Sequence, residues 1–178
     1  YINKADDFIK KELNPRGSTN INDALLRSIS LLEMTRSLGG TRGNIIVFLT
    51  DGLPTAGVTG TKEIRHSVKE ANRHRFSLFS LGFGFDVDMP FLKALSWENG
   101  GFARRIYAEE DAAGQLESFY MGLQNPTLID LTVDYLENAV EEQSLTQTFF
   151  PQYFEGSEII IAGKVNKSVP AAWKARVQ

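Results

Sequence analysis

Two hydrophobic periods alternate along the first 125 residues. Ile2, Ala5, Phe8, Ile9 and Leu13 recur at the spacing of one helix face, which predicts a helix over 2–13 that stops before Pro15. The segment 17–24 is polar and leads into a second helix, with Asn20 or Asn22 as its N-cap and Asp23 in its first turn. Leu25, Ile29, Leu32 and Met34 carry that helix to a stop at Gly39-Gly40. Residues 45–49 form an apolar run without alternation, so a strand over 45–50 is expected to be buried on both faces. A helix over 62–74 follows, with Ile64, Val68 and Ala71 inward, and then a strand over 77–84. Phe91, Leu92 and Leu95 mark a helix over 89–97, opened by an N-cap in Asp86-Val-Asp88 with Pro90 in the first turn, and ended by Asn99-Gly100-Gly101. A shorter strand over 102–107 carries Arg104 and Arg105 and belongs near the sheet edge. A last helix runs through Leu116, Phe119, Tyr120 and Leu123 to Asn125-Pro126.

Strict alternation of strand and helix predicts an α/β fold: a doubly wound, mostly parallel sheet with helices on both faces. Three strands are few for such a sheet, so more are expected upstream. After Pro126 the period becomes two. Ile129, Leu131, Val133 and Tyr135 alternate with Asp130, Thr132 and Asp134. Residues 157–165 and 171–177 read as further strands with no helix between them. The chain thus divides into an α/β domain, 1–125, and part of an antiparallel β-sandwich, 126–178.

Composition narrows the chemistry. The chain has 178 residues, 42% of them hydrophobic, enough to bury a core without staples. A net charge of −3 gives no general attraction to nucleic acid or anionic membrane. The absence of cysteine excludes disulfides, thiolate metal ligands and cysteine nucleophiles. No apolar run reaches the roughly 20 residues of a membrane span.

Asp51 follows the buried strand directly, where open α/β sheets gather their ligands, although Asp before Gly also simply closes turns. Thr19 stands just ahead of the helix that precedes this strand. If both loops share one sheet edge, their hydroxyl and carboxylate suit a hard cation such as Mg²⁺. Arg65, Lys69 and Arg73 form a basic stripe on one helix, read as a solvated face or as a surface for sulfated or carboxylated polysaccharide. Asn166-Lys167-Ser168 is a sequon between two expected strands, which makes Asn166 a candidate glycosylation site. His66 and His74 lie two turns apart with no third ligand to complete a zinc site. Gly82-Phe-Gly84 follows a strand as a dinucleotide-binding turn does, yet Val87 holds the third glycine position, and close backbone packing explains the pair better.

These segments carry a resemblance. Gly17-Ser-Thr-Asn20, Ala24-Leu25 and Phe48-Leu-Thr-Asp-Gly52 resemble the second and third metal-binding segments of von Willebrand factor type A domains. Residues 49–55, 77–88, 103–107 and 153–164 are similar to the heavy chains of the inter-α-trypsin inhibitor family, so the likeness covers nearly the whole chain. It implies a type A domain followed by strands of the β-sandwich into which that domain is inserted. It also implies that Thr19 and Asp51 are two of three elements of a metal-ion-dependent adhesion site that takes Mg²⁺ and a carboxylate from a partner protein. The first element, Asp-x-Ser-x-Ser, has no match here, and the family places it upstream of Tyr1. The chain is therefore expected to begin inside the domain.

The function implied is adhesive, not catalytic. Family heavy chains are secreted to the extracellular matrix, associate with the protease inhibitor bikunin on chondroitin sulfate, and are transferred to hyaluronan. Two rivals are weaker. A Mg²⁺-dependent phosphotransferase of the haloacid dehalogenase type needs Asp-x-Asp, and Leu53 holds the second Asp position. A type A cell-surface receptor leaves the segment after Pro126 unexplained.

Overall fold

The computed structural model describes residues 2–12, 17–37, 43–73, 75–167 and 173–178. The expected stops at Pro15, Gly39-Gly40 and His74, the hydroxyl residue Ser168 of the sequon, and the start of the last strand at Ala171 lie outside the described residues. Helices α1 (Ile2–Glu12) and α2 (Ile21–Ser37) precede strand β1 (Ile45–Thr50). Then α3 (Thr61–Asn72), β2 (Ser77–Phe83), α4 (Met89–Trp97), β3 (Ala103–Ile106) and α5 (Ala112–Leu123) alternate as the periodicity requires.

The three strands form a parallel sheet in the order β1-β2-β3, with Ile45 opposite Ser77 and Thr50 opposite Gly82. Both faces carry helices. Ile46 and Leu78 pack against α2, α3 and α4, through side chains such as Leu25, Ile64 and Leu92. On the other face Phe79, Leu81 and Ile106 meet Phe119 and Leu123 of α5. β3 is an edge strand, as its arginines suggested. Gly82 is required by close approach, since a Cβ there would lie 2.7 Å from the Met89 sulfur and 2.9 Å from Val87. Gly84 serves differently: its φ of +75° opens a turn in free space.

β1 departs from expectation. Ile46 and Thr50 are buried, but Val47 and Leu49 on the opposite face are 40% and 52% exposed. β1 is the other edge strand, and among the described residues α5 packs over β2 and β3 without reaching its outer half. An apolar run shows that a strand is suited to burial, not that a neighbour covers both sides.

Beyond α5 lies an antiparallel sheet in the order β5-β4-β6: β4 (Pro126–Tyr135) pairs with β5 (Phe149–Phe154) and with β6 (Ala175–Val177). Leu131 and Val133 are buried, but Leu128 and Ile129, on opposite faces, are both exposed, and Asp130 between Ile129 and Leu131 has a positive φ. β5 was missed, since Phe149-Phe-Pro-Gln-Tyr-Phe154 has no period of two and contains a proline. Its edge position tolerates Pro151.

The expected strand over 157–165 is absent apart from one bridge, between Val140 and Val165. Side chains replace part of the ladder there. Ala162 N–H donates to the Thr146 hydroxyl at 3.2 Å and Lys164 N–H to the Ser144 hydroxyl at 2.7 Å. The apolar Ile160 faces water.

β5 also joins the two sheets. Gln152 Nε2 donates to the Asn44 carbonyl at 2.8 Å, just before β1. Phe154 enters the α5-side core and meets Phe79 edge to face, with ring centroids 5.7 Å apart. Between helices, Asn72 Nδ2 donates to Phe76 O at 2.8 Å and to Asn99 Oδ1 at 2.9 Å, which satisfies a buried polar cluster under the α3–β2 connection. Nearer the surface, Arg65 Nε donates to Glu98 Oε2 at 2.9 Å while a second guanidinium nitrogen pairs with Oε1, clamping α3 to the end of α4.

Two outcomes follow from this packing. Phe154→Ala should lower unfolding free energy by about 3 kcal/mol, as deletion of a buried aromatic does, and urea denaturation reads it. A loss below about 1 kcal/mol would remove Phe154 from the core. Glu98 concerns pH. The hydrogen bonds from Arg65, then the charges of Arg65 and Lys69, hold its carboxyl below the ordinary range against the opposing effect of burial. A folded-state pKa below the unfolded one stabilises the protein above the ordinary carboxylate range, and that contribution is lost as pH falls through the folded value. Glu98→Gln should therefore cost more stability near pH 7 than in acid below the folded-state value. An equal cost at both would mean that the ion pair contributes nothing.

Candidate functional site

β1 ends in a turn fixed by its own last side chain. The Thr50 hydroxyl donates to Gly52 O at 3.2 Å and accepts from Gly52 N–H at 3.4 Å. Thr50 is buried by this arrangement, and Asp51 beside it is exposed at the carboxyl end of the sheet. The loop before α2 lies against the same turn. Thr19 O accepts from Thr55 N–H at 2.8 Å and from Ala56 N–H at 3.1 Å, while Thr19 N–H donates to the Thr55 hydroxyl at 2.8 Å. Three hydrogen bonds thus bring the Thr19 loop to the segment that begins at Asp51. Periodicity gives no sign of Thr55, because a polar loop residue leaves no pattern.

Asn20 is the N-cap of α2: its Oδ1 accepts from Asp23 N–H at 3.2 Å, and its Nδ2 donates to Asp23 Oδ2 at 2.7 Å. Gly57, at φ +64°, packs against it so closely that a Cβ would sit 2.7 Å from Asn20 Oδ1. Asn22 is no cap. It is buried, and its Oδ1 accepts from the Ser67 hydroxyl at 2.6 Å, tying α2 to α3.

The donor set here is hard. Thr19 is half-buried and offers a hydroxyl, and Asp51 offers an exposed carboxylate. Oxygen donors of this kind fit Mg²⁺, which keeps several of its waters. Among the described residues no group of three or more His, Cys, Asp or Glu is placed to hold a metal ion. The N-terminus of α2, a helix of 17 residues, starts beside Thr19 and adds partial positive charge. Leu53, Val58 and Phe85 stand exposed in the loops after β1 and β2.

The remaining sequence candidates are placed as follows. Arg65 is engaged by Glu98, whereas Lys69 and Arg73 are exposed, so the basic stripe is not a row of equivalent charges. Arg73 has left the helix: it is the C-cap of α3 at φ 48°, with its N–H bonded to Lys69 O. Asn166 Nδ2, the atom a glycan would join, donates to Asn138 O at 2.7 Å. No described helix is long and apolar enough to cross a membrane.

Comparison with known proteins agrees with this architecture. A family model for the von Willebrand factor type A domain matches residues 2–121, which takes in α1 through nearly all of α5. Inter-alpha-trypsin inhibitor heavy chain H4 of Sus scrofa is 45% identical over 170 residues, covering 94% of this chain and 18% of that protein. The Homo sapiens heavy chain H4 is 44% identical over 179 residues, 99% of this chain and 19% of its own length. Heavy chain H1 of Homo sapiens is 41% identical over 180 residues, again 99% and 19%. The chain spans less than a fifth of the length of these relatives. Parallel strands alternating with helices, loops gathered at the carboxyl edge and a matching family model over those same elements lead to one assignment: this chain belongs to the von Willebrand factor type A domain family.

Proposed function

We propose that this chain is part of a secreted, non-enzymatic matrix protein of the inter-alpha-trypsin inhibitor heavy chain kind, and that its sheet edge contributes to a metal-dependent site for a partner protein. The hydrogen-bonded contact between the Thr19 loop and the Asp51 turn carries this reading, because it sets a hydroxyl-bearing loop against a carboxylate-bearing one. Similarity to the heavy chains supports the wider context: association with hyaluronan and with a bikunin-type inhibitor on chondroitin sulfate, and a β-sandwich unit that begins near Pro126.

The physical logic is one of incomplete neutralisation. Bound there, Mg²⁺ would supply positive charge that so few carboxylates leave unbalanced, and so attract a further anionic oxygen. Thr19 and Asp51 would hold it, and the amino end of α2 favours the arriving carboxylate. Nothing in this arrangement prepares a nucleophile: Asp51 is exposed, and Leu53 stands at the position where phosphotransfer needs a second Asp.

In the full-length protein, isothermal calorimetry should detect Mg²⁺ binding that Asp51→Ala abolishes. The variant should unfold at the wild-type temperature, since an exposed turn carboxylate contributes little to the core. Undiminished Mg²⁺ affinity in Asp51→Ala would place the cation elsewhere.

A further inference from the structure

Thr55 is joined to Thr19 in both directions. Its N–H donates to Thr19 O at 2.8 Å, and its hydroxyl accepts from Thr19 N–H at 2.8 Å, while Ala56 N–H takes a second place on Thr19 O at 3.1 Å. Both backbone polar groups of Thr19 are therefore occupied by residues 55 and 56. None of the three bonds uses the Thr19 hydroxyl, which leaves that side chain for a ligand. On the other side, Thr55 lies four residues beyond Asp51 in the loop that follows β1. The Thr50–Gly52 bonds close the start of that loop, and the ring of Pro54 fixes the backbone angle just before Thr55. The Thr19 loop is thus tied, through residues 55 and 56, to the loop that carries Asp51.

We propose that Thr55 is the positioning residue of the candidate metal site, holding Thr19 at the distance from Asp51 that shared coordination of one cation requires. The proposal rests on the metal-site reading above. Two of the three bonds come from backbone groups and survive any side-chain replacement. Only the hydroxyl bond depends on the identity of residue 55, and it alone restrains the Thr19 N–H. A binding site whose supporting groups are loosened loses affinity through misplaced ligands even when the ligands themselves remain. The latch is exposed, so its loss should be felt in ligand placement far more than in global stability.

The test compares wild type, Thr55→Val, Thr55→Ser and Asp51→Ala in the full-length protein, with Mg²⁺ alone as the probe. Valine keeps the shape of threonine without the acceptor, and serine keeps the acceptor. In metal-free protein, Thr55→Val should speed hydrogen exchange at the Thr19 amide, and Thr55→Ser should restore slow exchange. By calorimetry Thr55→Val should raise the Mg²⁺ dissociation constant about tenfold, the order seen when second-layer partners of a metal ligand are removed, and Thr55→Ser should recover wild-type affinity. Wild-type affinity in Thr55→Val beside no binding in Asp51→Ala would overturn the positioning role and leave the metal site standing. Wild-type affinity in Asp51→Ala would overturn both. If Thr55→Val does not fold, Thr55→Ala is read by the same two measurements.

Discussion

Burial of β2 from Ser77 to Gly82 is the constraint on which the rest depends. From Ser77 to Leu81 every side chain is inside, with Leu78 in the core under α2, α3 and α4 and Phe79 and Leu81 in the core under α5. Its polar residues are a cost that packing must offset: Ser80 meets the Ser96 hydroxyl at 2.8 Å, which satisfies one of them. A strand enclosed in this way can be flanked only by neighbours in fixed register. β1 and β3 accordingly run parallel to it, and all three carboxyl ends arrive at one edge. The position of Asp51 relative to the other strand-end loops is a consequence of this register, and the Thr19 loop then needs only local hydrogen bonds to join it.

How far the sequence alone reaches can be judged from individual residues. Helix periods, a cap at Asn20 or Asn22, a cap within Asp86-Val-Asp88 before Pro90 and the edge character of β3 were legible, because each is encoded within a few residues of where it acts; the structure chooses Asn20 and Asp88. Features decided by distant partners were not. Ile45 to Leu49 looks equally apolar on both faces, and only the placement of α5 decides that Val47 and Leu49 meet water. Phe149 to Phe154 hides its strand behind a proline, and edge position makes the proline harmless.

Charge and hydrogen-bonding residues show the same division. On a helical projection Arg65 is equivalent to Lys69 and Arg73, yet Glu98, 33 positions away, removes it from the surface row. Asn166 belongs to a sequon by its neighbours and to a turn by its partner, Asn138. The Thr19–Thr55 contact spans 36 positions through groups that every polar loop possesses. The sequence gives no sign of the bonds that hold the Thr19 loop to the loop after β1.

Phe154 gives the junction between the two sheets a consequence for modularity. The change of hydrophobic period at Pro126 marks where one architecture gives way to another, but the core does not respect that line. Phe154 lies 28 positions beyond it and fills space among Phe79, Phe119 and Leu123. A segment transplanted up to Pro126 would carry the outline of the parallel domain and leave behind one of its own interior side chains. The core of the parallel domain thus reaches past the change of hydrophobic period and takes in a side chain of β5.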